Sequence, residues 1–220
     1  MISKTTKGSF LYRFILFFTR VFFHLFYHIK VSGLEHFYPH GAILAPNHTS
    51  FFDPPLVATS WLQPVHFLAK ASLFKNKIFG SLIRNLNAHP VVTHKGHAEV
   101  LKQTCALLER GHQIMIFPEG TRSPSGELQL FKQGPAYLAY KSQTAIIPVY
   151  IQGAYEVWSR KRKFPKLGGK LHVVFGSPIL ANAFLQEDAK KGQEKLTLCL
   201  RESVEALKEW VEKGGEGIPP

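Results

Sequence analysis

Two short apolar runs, Ala42 to Ala45 and Gln113 to Phe117, are each followed at once by a polar cluster: Asn47-His48-Thr49-Ser50-Phe51-Phe52-Asp53 and Pro118-Glu119-Gly120-Thr121-Arg122-Ser123-Pro124. Runs of that length between helical patterns predict buried strands of an open α/β sheet, and such a sheet keeps its site where strands end. Further strands read as Val65 to Ala69, His89 to Val92, Ile146 to Gln152 and Leu171 to Phe175. Helices read as Pro54 to Trp61, Lys77 to Leu86, Glu99 to Arg110 closed by Gly111, Gly134 to Lys141 and Lys190 to Glu212. Pro148 inside a strand predicts an edge or a bulge. With no internal repeat, the chain divides into an N-terminal helical segment (residues 1–30), a single α/β domain (31–213) and a loose tail (214–220).

His48 and Asp53 are separated by five positions. On one continuous helix they would lie about 140° apart and would not meet. With His48 in the loop and Asp53 capping a helix opened by Pro54, they can. One carboxylate oxygen then caps the helix while the other accepts Nδ1–H of His48, which leaves Nε2 as a base of fixed tautomer. The plainer reading makes Asp53 only a cap and His48 only a loop histidine. In the second cluster, Gly120 lets backbone approach a ligand, Thr121 and Ser123 bring hydroxyls, and Arg122 brings a planar fork; together they suit a phosphate. A carboxylate there is repelled unless it pairs with a cation or accepts from a hydroxyl, so Glu119 is assigned an orienting role. The plainer alternative is a Pro/Gly turn with a surface arginine. Lys70 closes the Val65 to Ala69 strand at the same kind of position as His48.

Charge narrows the partners. The 27 Lys and Arg against 15 Asp and Glu draw the chain to anions, nucleic acid or anionic lipid. Cys105 and Cys199 lack metal-ligand spacing, which argues against a disulfide framework or a zinc site and fits a reducing compartment. The first 34 residues hold no acid, and Phe10 to Ile29 is dense in Phe, Leu, Ile and Val. As a helix this stretch is about 30 Å long, the thickness of a bilayer core. Arg13, Arg20, His24 and His28, however, gather in a stripe about 80° wide. That pattern suits a helix lying in the membrane interface, and Arg20 within a span would cost on the order of 3 kcal/mol or more. Arg160-Lys161-Arg162-Lys163, with Lys166 and Lys170 behind and Trp158 and Phe164 flanking, suits anionic headgroups or, equally, a solvated loop. The apolar N-terminus does not suit a nucleic-acid-binding module, so a membrane lipid surface and no nucleic acid is the expectation.

The stretches NHTSFFD (Asn47 to Asp53) and FPEGTRS (Phe117 to Ser123) resemble the first and third signature blocks of the glycerolipid acyltransferases, the family of the 1-acylglycerol-3-phosphate acyltransferases. FKQGPAYLA (Phe131 to Ala139) and IIPVYIQG (Ile146 to Gly153) are similar to the family in order and spacing, the latter to its proline-containing fourth block. The resemblance implies the family's fold, a mostly parallel central sheet flanked by helices, here behind an amphipathic membrane-associated helix. It implies His48 as general base, Asp53 as its orienter, and Glu119 and Arg122 around a phosphorylated acceptor, with Gly120 allowing close approach; the residues themselves add the Thr121 hydroxyl and Lys70 or Lys95 as a further cation. Family members carry an Arg after the strand matching His89 to Val92; this chain has Thr93, His94 and Lys95. Either Lys95 or His94 supplies that cation, or the phosphate is held differently. The implied reaction moves an acyl group from an acyl-CoA or acyl carrier protein thioester to the sn-2 hydroxyl of lysophosphatidic acid, making phosphatidic acid without metal or bound cofactor. It implies an enzyme on a bacterial-type inner membrane with its site facing the cytoplasm. Another lysolipid acceptor, or a non-catalytic lipid-binding protein using the same cradle, are the alternatives.

Overall fold

The computed structural model describes residues 9–91, 97–186 and 188–220. Its helices are α1 (Phe10–Phe26), α2 (Asp53–Ser60), α3 (Lys77–Asn85), α4 (His97–Glu109), α5 (Gly134–Ser142), α6 (Ala154–Trp158) and α7 (Ala189–Glu212). Its strands are β1 (His28–Ser32), β2 (Ala42–Pro46), β3 (Val65–Lys70), β4 (Ala88–Val91), β5 (Gln113–Met115), β6 (Ala145–Gln152), β7 (Lys170–Phe175) and β8 (Ile179–Leu180). They form one sheet in the order β1-β7-β6-β2-β5-β3-β4, with β8 on β6. β6, β2, β5, β3 and β4 run parallel, β7 is antiparallel to β6, and β1 is parallel to β7.

β2 is buried at every position and β6 at all but its last, which is why both read as continuous apolar runs. Alternation sends Leu44 into one apolar layer with Phe23, Tyr27, Leu56 and Val57, and Ile43 into the other with Leu108, Leu196, Leu200 and Val204. The crossovers β2-α2-β3 and β3-α3-β4 advance in one direction across the sheet. Right-handed connections therefore set α2 and α3 on one face, where α1 packs on α2, while α4 and α5 return on the face that α7 covers.

Four local features depart from the sequence reading. α1 ends at Phe26, and His28–Ser32 leaves it as an edge strand on β7. The alternation of Ile29 and Val31, which pack on the core, with His28, Lys30 and Ser32 overrides the apolar density that had read as helix. Only Arg13, Arg20 and His24 of the cationic stripe therefore belong to α1. Pro148 lies in an interior strand, not at an edge. It sits between the β8 pairing at Ala145 and Ile146 and the β7 pairing that begins at Val149, and its carbonyl accepts from Gly176 N–H at 2.9 Å. Since the N and C=O of one strand residue point the same way, the missing N–H falls in that gap. The terminal residues are docked: Lys30 Nζ donates to Gly215 O, Trp210 Nε1 to Glu216 O and Ser177 N–H to Pro220 O, while His36 Nε2 contacts Pro219 O. Trp158 faces inward, onto Phe51 and Phe52, and not outward as an anchor beside the basic patch.

Gly33 turns β1 into the next segment at φ 82°, and a Cβ there would lie 1.8 Å from the Phe175 carbonyl oxygen. Gly33→Ala is expected to lower stability by about 2 kcal/mol or more, read as a fall in denaturation midpoint.

Candidate active site

The site stands at the carboxyl edge of β2 and β5. β2 delivers Asn47, whose side-chain amide continues the ladder to β6: Oδ1 accepts from Ile151 N–H at 2.7 Å and Nδ2 donates to Ile151 O at 3.1 Å. His48 follows, already past the strand. Its backbone N–H donates to Glu119 Oε1 at 3.1 Å, and its carbonyl accepts from Ser123 N–H at 2.7 Å. The two polar clusters are thus joined through backbone. On the other side, the Trp158 carbonyl accepts from Ser50 Oγ and Phe51 N–H.

Nδ1 of His48 lies 2.8 Å from Oδ2 of Asp53. The same oxygen accepts from the backbone N–H groups of Thr49 and Ser50, each at 2.7 Å. This corrects the expected division of labour: one oxygen takes all three donors, Asp53 is the first residue of α2 rather than its side-chain cap, and Oδ1 is buried without a partner. Burial pushes the Asp53 carboxyl up, while the hydrogen bond and charge of His48 and the N–H groups of Ser50 and Thr49 pull it down. Three groups converge on Oδ2, the surroundings that favour a carboxylate there against the cost of burial. The imidazole lies on the Phe117 ring, centroids 3.7 Å apart at 20°, and the His48 side chain keeps 16% exposure against 0% for Asp53. Nδ1 is committed to Asp53, and Nε2 is the ring nitrogen that Asp53 does not engage.

Arg122 is half-buried with its guanidinium 3.5 Å over the Phe51 ring, and its Nη1 is buried without a partner. Desolvation lowers its pKa, with Asp53 opposing and Arg160 adding to the effect. Arg160 approaches through its own donor to the Arg122 carbonyl at 3.2 Å. Gly120 has φ 72°, and a Cβ there would come 2.9 Å from Lys132 Nζ. Lys132, in the third resembling stretch, therefore brings its ammonium against the Gly120 turn. Its only signal in the sequence was its place in FKQGPAYLA; its backbone N–H donates to the Pro118 carbonyl at 2.8 Å. Thr121 is exposed on the turn. Ser123 is buried, with its hydroxyl accepting from Gly126 N–H, and so serves the loop and not a ligand. Lys70 ends β3, beside β5 on the same edge, and is exposed. Lys95 and His94 lie outside the described residues.

Glu119 is not placed as a free ligand for a hydroxyl. It is 3% exposed, braces the His48 backbone, and burial raises its carboxyl to about 7 despite that hydrogen bond, with Asp53 adding to the rise. Near neutrality it carries only part of its charge, which removes much of the repulsion expected between a carboxylate and a phosphate.

A carboxylate-aimed imidazole and an arginine with a donor unpartnered among the described residues stand together at the carboxyl edge of an α/β sheet, the arrangement that general-base chemistry on an anionic substrate requires. Residues 28–152 match the acyltransferase family, and the chain belongs to it. It is similar to the 1-acyl-sn-glycerol-3-phosphate acyltransferase of Bacillus subtilis (strain 168), 29% identical over 76% of this chain and 81% of that one. It is also similar to the chloroplastic 1-acyl-sn-glycerol-3-phosphate acyltransferase LPAT1 of Arabidopsis thaliana, 28% identical over 70% of this chain but only 44% of that longer one. Among solved structures, the 1-acyl-sn-glycerophosphate (LPA) acyltransferase PlsC from Thermotoga maritima superposes with a TM-score of 0.69 at 27% identity, covering 87% of this chain and 78% of that one.

Glu119 gives a pH signature. Its folded pKa of about 7 stands above the ordinary 4.5, so the folded chain binds the proton more tightly. The resulting stabilisation is complete below the ordinary value and is lost as the pH rises through about 7. From about pH 5 to 8 the parent is expected to lose up to about 3 kcal/mol that Glu119→Gln does not lose, measured by denaturation at each pH.

Proposed function

We propose that the protein transfers a fatty acyl group from acyl-CoA or acyl carrier protein to the sn-2 hydroxyl of lysophosphatidic acid, making phosphatidic acid. The observation that carries the reading is the His48–Asp53 pair beside the unpaired donor of Arg122. The names of the B. subtilis, A. thaliana and T. maritima relatives support the same acceptor.

In this mechanism Nε2 of His48 takes the proton from the acceptor hydroxyl as its oxygen attacks the thioester carbonyl. The C–S bond breaks as the tetrahedral adduct collapses, and the thiolate regains that proton from Nε2–H. No acyl-enzyme forms, and no metal or bound cofactor enters. Arg122 clamps the phosphate through its fork, with Lys132, Lys70 and Lys95 as further cations. Phe51 and Phe117 hold the guanidinium and the imidazole by their ring faces. General-base catalysis supplies roughly 10² to 10⁴ of the rate, and joint binding of donor and acceptor supplies much of the rest.

The acceptor and product are bilayer lipids, and α1 provides a means of meeting them. Phe10, Leu11, Phe14, Phe17, Phe18, Val21 and Leu25 are exposed, on the side of the helix opposite buried Tyr12 and Phe23. Its apolar face and its flanking Arg13, Arg20 and His24 suit a helix lying in the interface with those cations at the headgroups; among the described residues no helix is long and apolar enough to cross a membrane.

His48→Ala is expected to lower turnover by about 10² to 10⁴ with the acceptor KM largely kept, measured with lysophosphatidic acid and labelled acyl-CoA or acyl carrier protein. A pure lipid binder would tolerate that change. Arg122→Lys should instead raise the acceptor KM. For the membrane, Phe14→Ser/Phe17→Ser/Phe18→Ser should lose vesicle binding and activity on bilayer lysolipid while acylating a monomeric short-chain acceptor at the parent rate. These exposed positions are the proper test, since truncation before Lys30 would also remove core Phe23 and the start of β1.

A further inference from the structure

α3 exposes apolar side chains and contributes none to the two core clusters of the described residues. Gly80 is its buried residue, and a Cβ there would come 2.8 Å from the Phe74 carbonyl oxygen, so the helix rests on the preceding turn through its backbone. Ile78 and Leu82, one turn apart, are 85% and 41% exposed, and Phe79 between them is 45% exposed. Leu73 in the preceding turn is exposed too. Lys75 and Lys77 are exposed at the start of the helix, and Arg84, exposed as well, lies over the Phe74 ring at 4.9 Å. The surrounding sequence is as one-sided as the helix. No acid occurs from Pro54 to Ala98, and the chain before Glu99 holds ten Lys and Arg against two acids, Glu35 and the fully buried Asp53.

We infer that α3 is a second bilayer-docking element, with Ile78, Phe79 and Leu82 among the acyl chains of an anionic lipid surface and Lys75 and Lys77 at its headgroups. The inference rests on the membrane-docked reading of α1. α1 and α3 lie on the same face of the sheet, so one lipid surface can meet both. α3 also follows Lys70 within one short turn, so a bilayer against it borders the carboxyl edge that holds His48, where a lysolipid headgroup must arrive. A second copy of the chain docked on this patch would set cations against cations. The charge selects an anionic surface instead, each Lys or Arg strengthening partition about five-fold.

The test uses the full chain with large unilamellar vesicles of phosphatidylcholine and phosphatidylglycerol at 3:1, and of phosphatidylcholine alone. Ile78→Ser/Phe79→Ser/Leu82→Ser is expected to lower partition onto the mixed vesicles at least ten-fold, with acylation of a monomeric short-chain lysophosphatidic acid unchanged. Lys75→Gln/Lys77→Gln, which leaves the Arg84 guanidinium on the Phe74 ring, should lose binding on the mixed vesicles only, and added salt should do the same to the parent. Parent-like partition of this charge variant overturns the inference. If the α1 triple variant loses vesicles at the same time, docking through α1 stands without α3. Absence of turnover by the parent on the monomeric acceptor would overturn the enzymatic reading, whatever the vesicle result.

Discussion

A single carboxylate oxygen with three donors holds this structure's working parts together. Without Asp53 Oδ2, the N–H groups of Thr49 and Ser50 would be buried at the start of a loop with nothing to accept them, at about 1–3 kcal/mol each. The loop therefore closes around the carboxylate as a matter of backbone satisfaction. The imidazole is aimed by the atom that folds the loop, so the orientation of the base and the conformation of the segment are one and the same requirement. Asp53 also begins α2, and Leu56 and Val57 on its next turn enter the core. The base is thereby tied to the interior through a single helical turn.

Fixing the loop internally would not place it against the anion cradle. That is done by backbone bonds to three neighbours: Asn47 to β6, the Trp158 carbonyl to Ser50 and Phe51, and Glu119 with Ser123 to His48. Glu119 accounts for the apparent conflict of an acid beside the proposed phosphate site. Its cost is burial, and burial is also what suppresses its charge near neutrality, so the brace and the cradle coexist.

The sequence made the pairing of His48 with Asp53 legible because spacing decides which groups can meet. It did not say which lone pair meets which donor, since that depends on where two backbone N–H groups end up in three dimensions. The strand at His28–Ser32 was hidden because apolar density and alternation overlap there, and a partner strand far along the chain decided between them. Pro148 was read by the rule for edges, yet an interior strand tolerates it where two antiparallel neighbours leave a gap. Lys132 and Trp158 escaped for one reason: each acquires its role by folding back, onto Gly120 and onto Phe51 and Phe52 respectively. The docked terminus is the same case, since its partners Lys30, His36 and Ser177 are distant in sequence.

The net charge of +12 is better understood as a direction than as a total. α7, on one face of the sheet, carries five acids and five Lys or Arg and spends several of them in pairs such as Arg201 with Glu205 and Lys208 with Glu127. Exposed pairs of this kind add little stability. Their consequence lies elsewhere: they make that face nearly neutral, so the field of the molecule comes mainly from the acid-poor segments carrying α1, α2 and α3. A protein with the same total spread evenly would attract anions from every side. Here the acid-poor segments also expose Phe14, Phe17, Phe18 and Ile78, so in the proposed docking the side that long-range electrostatics would turn towards an anionic surface is the side whose apolar residues would gain from contact with it.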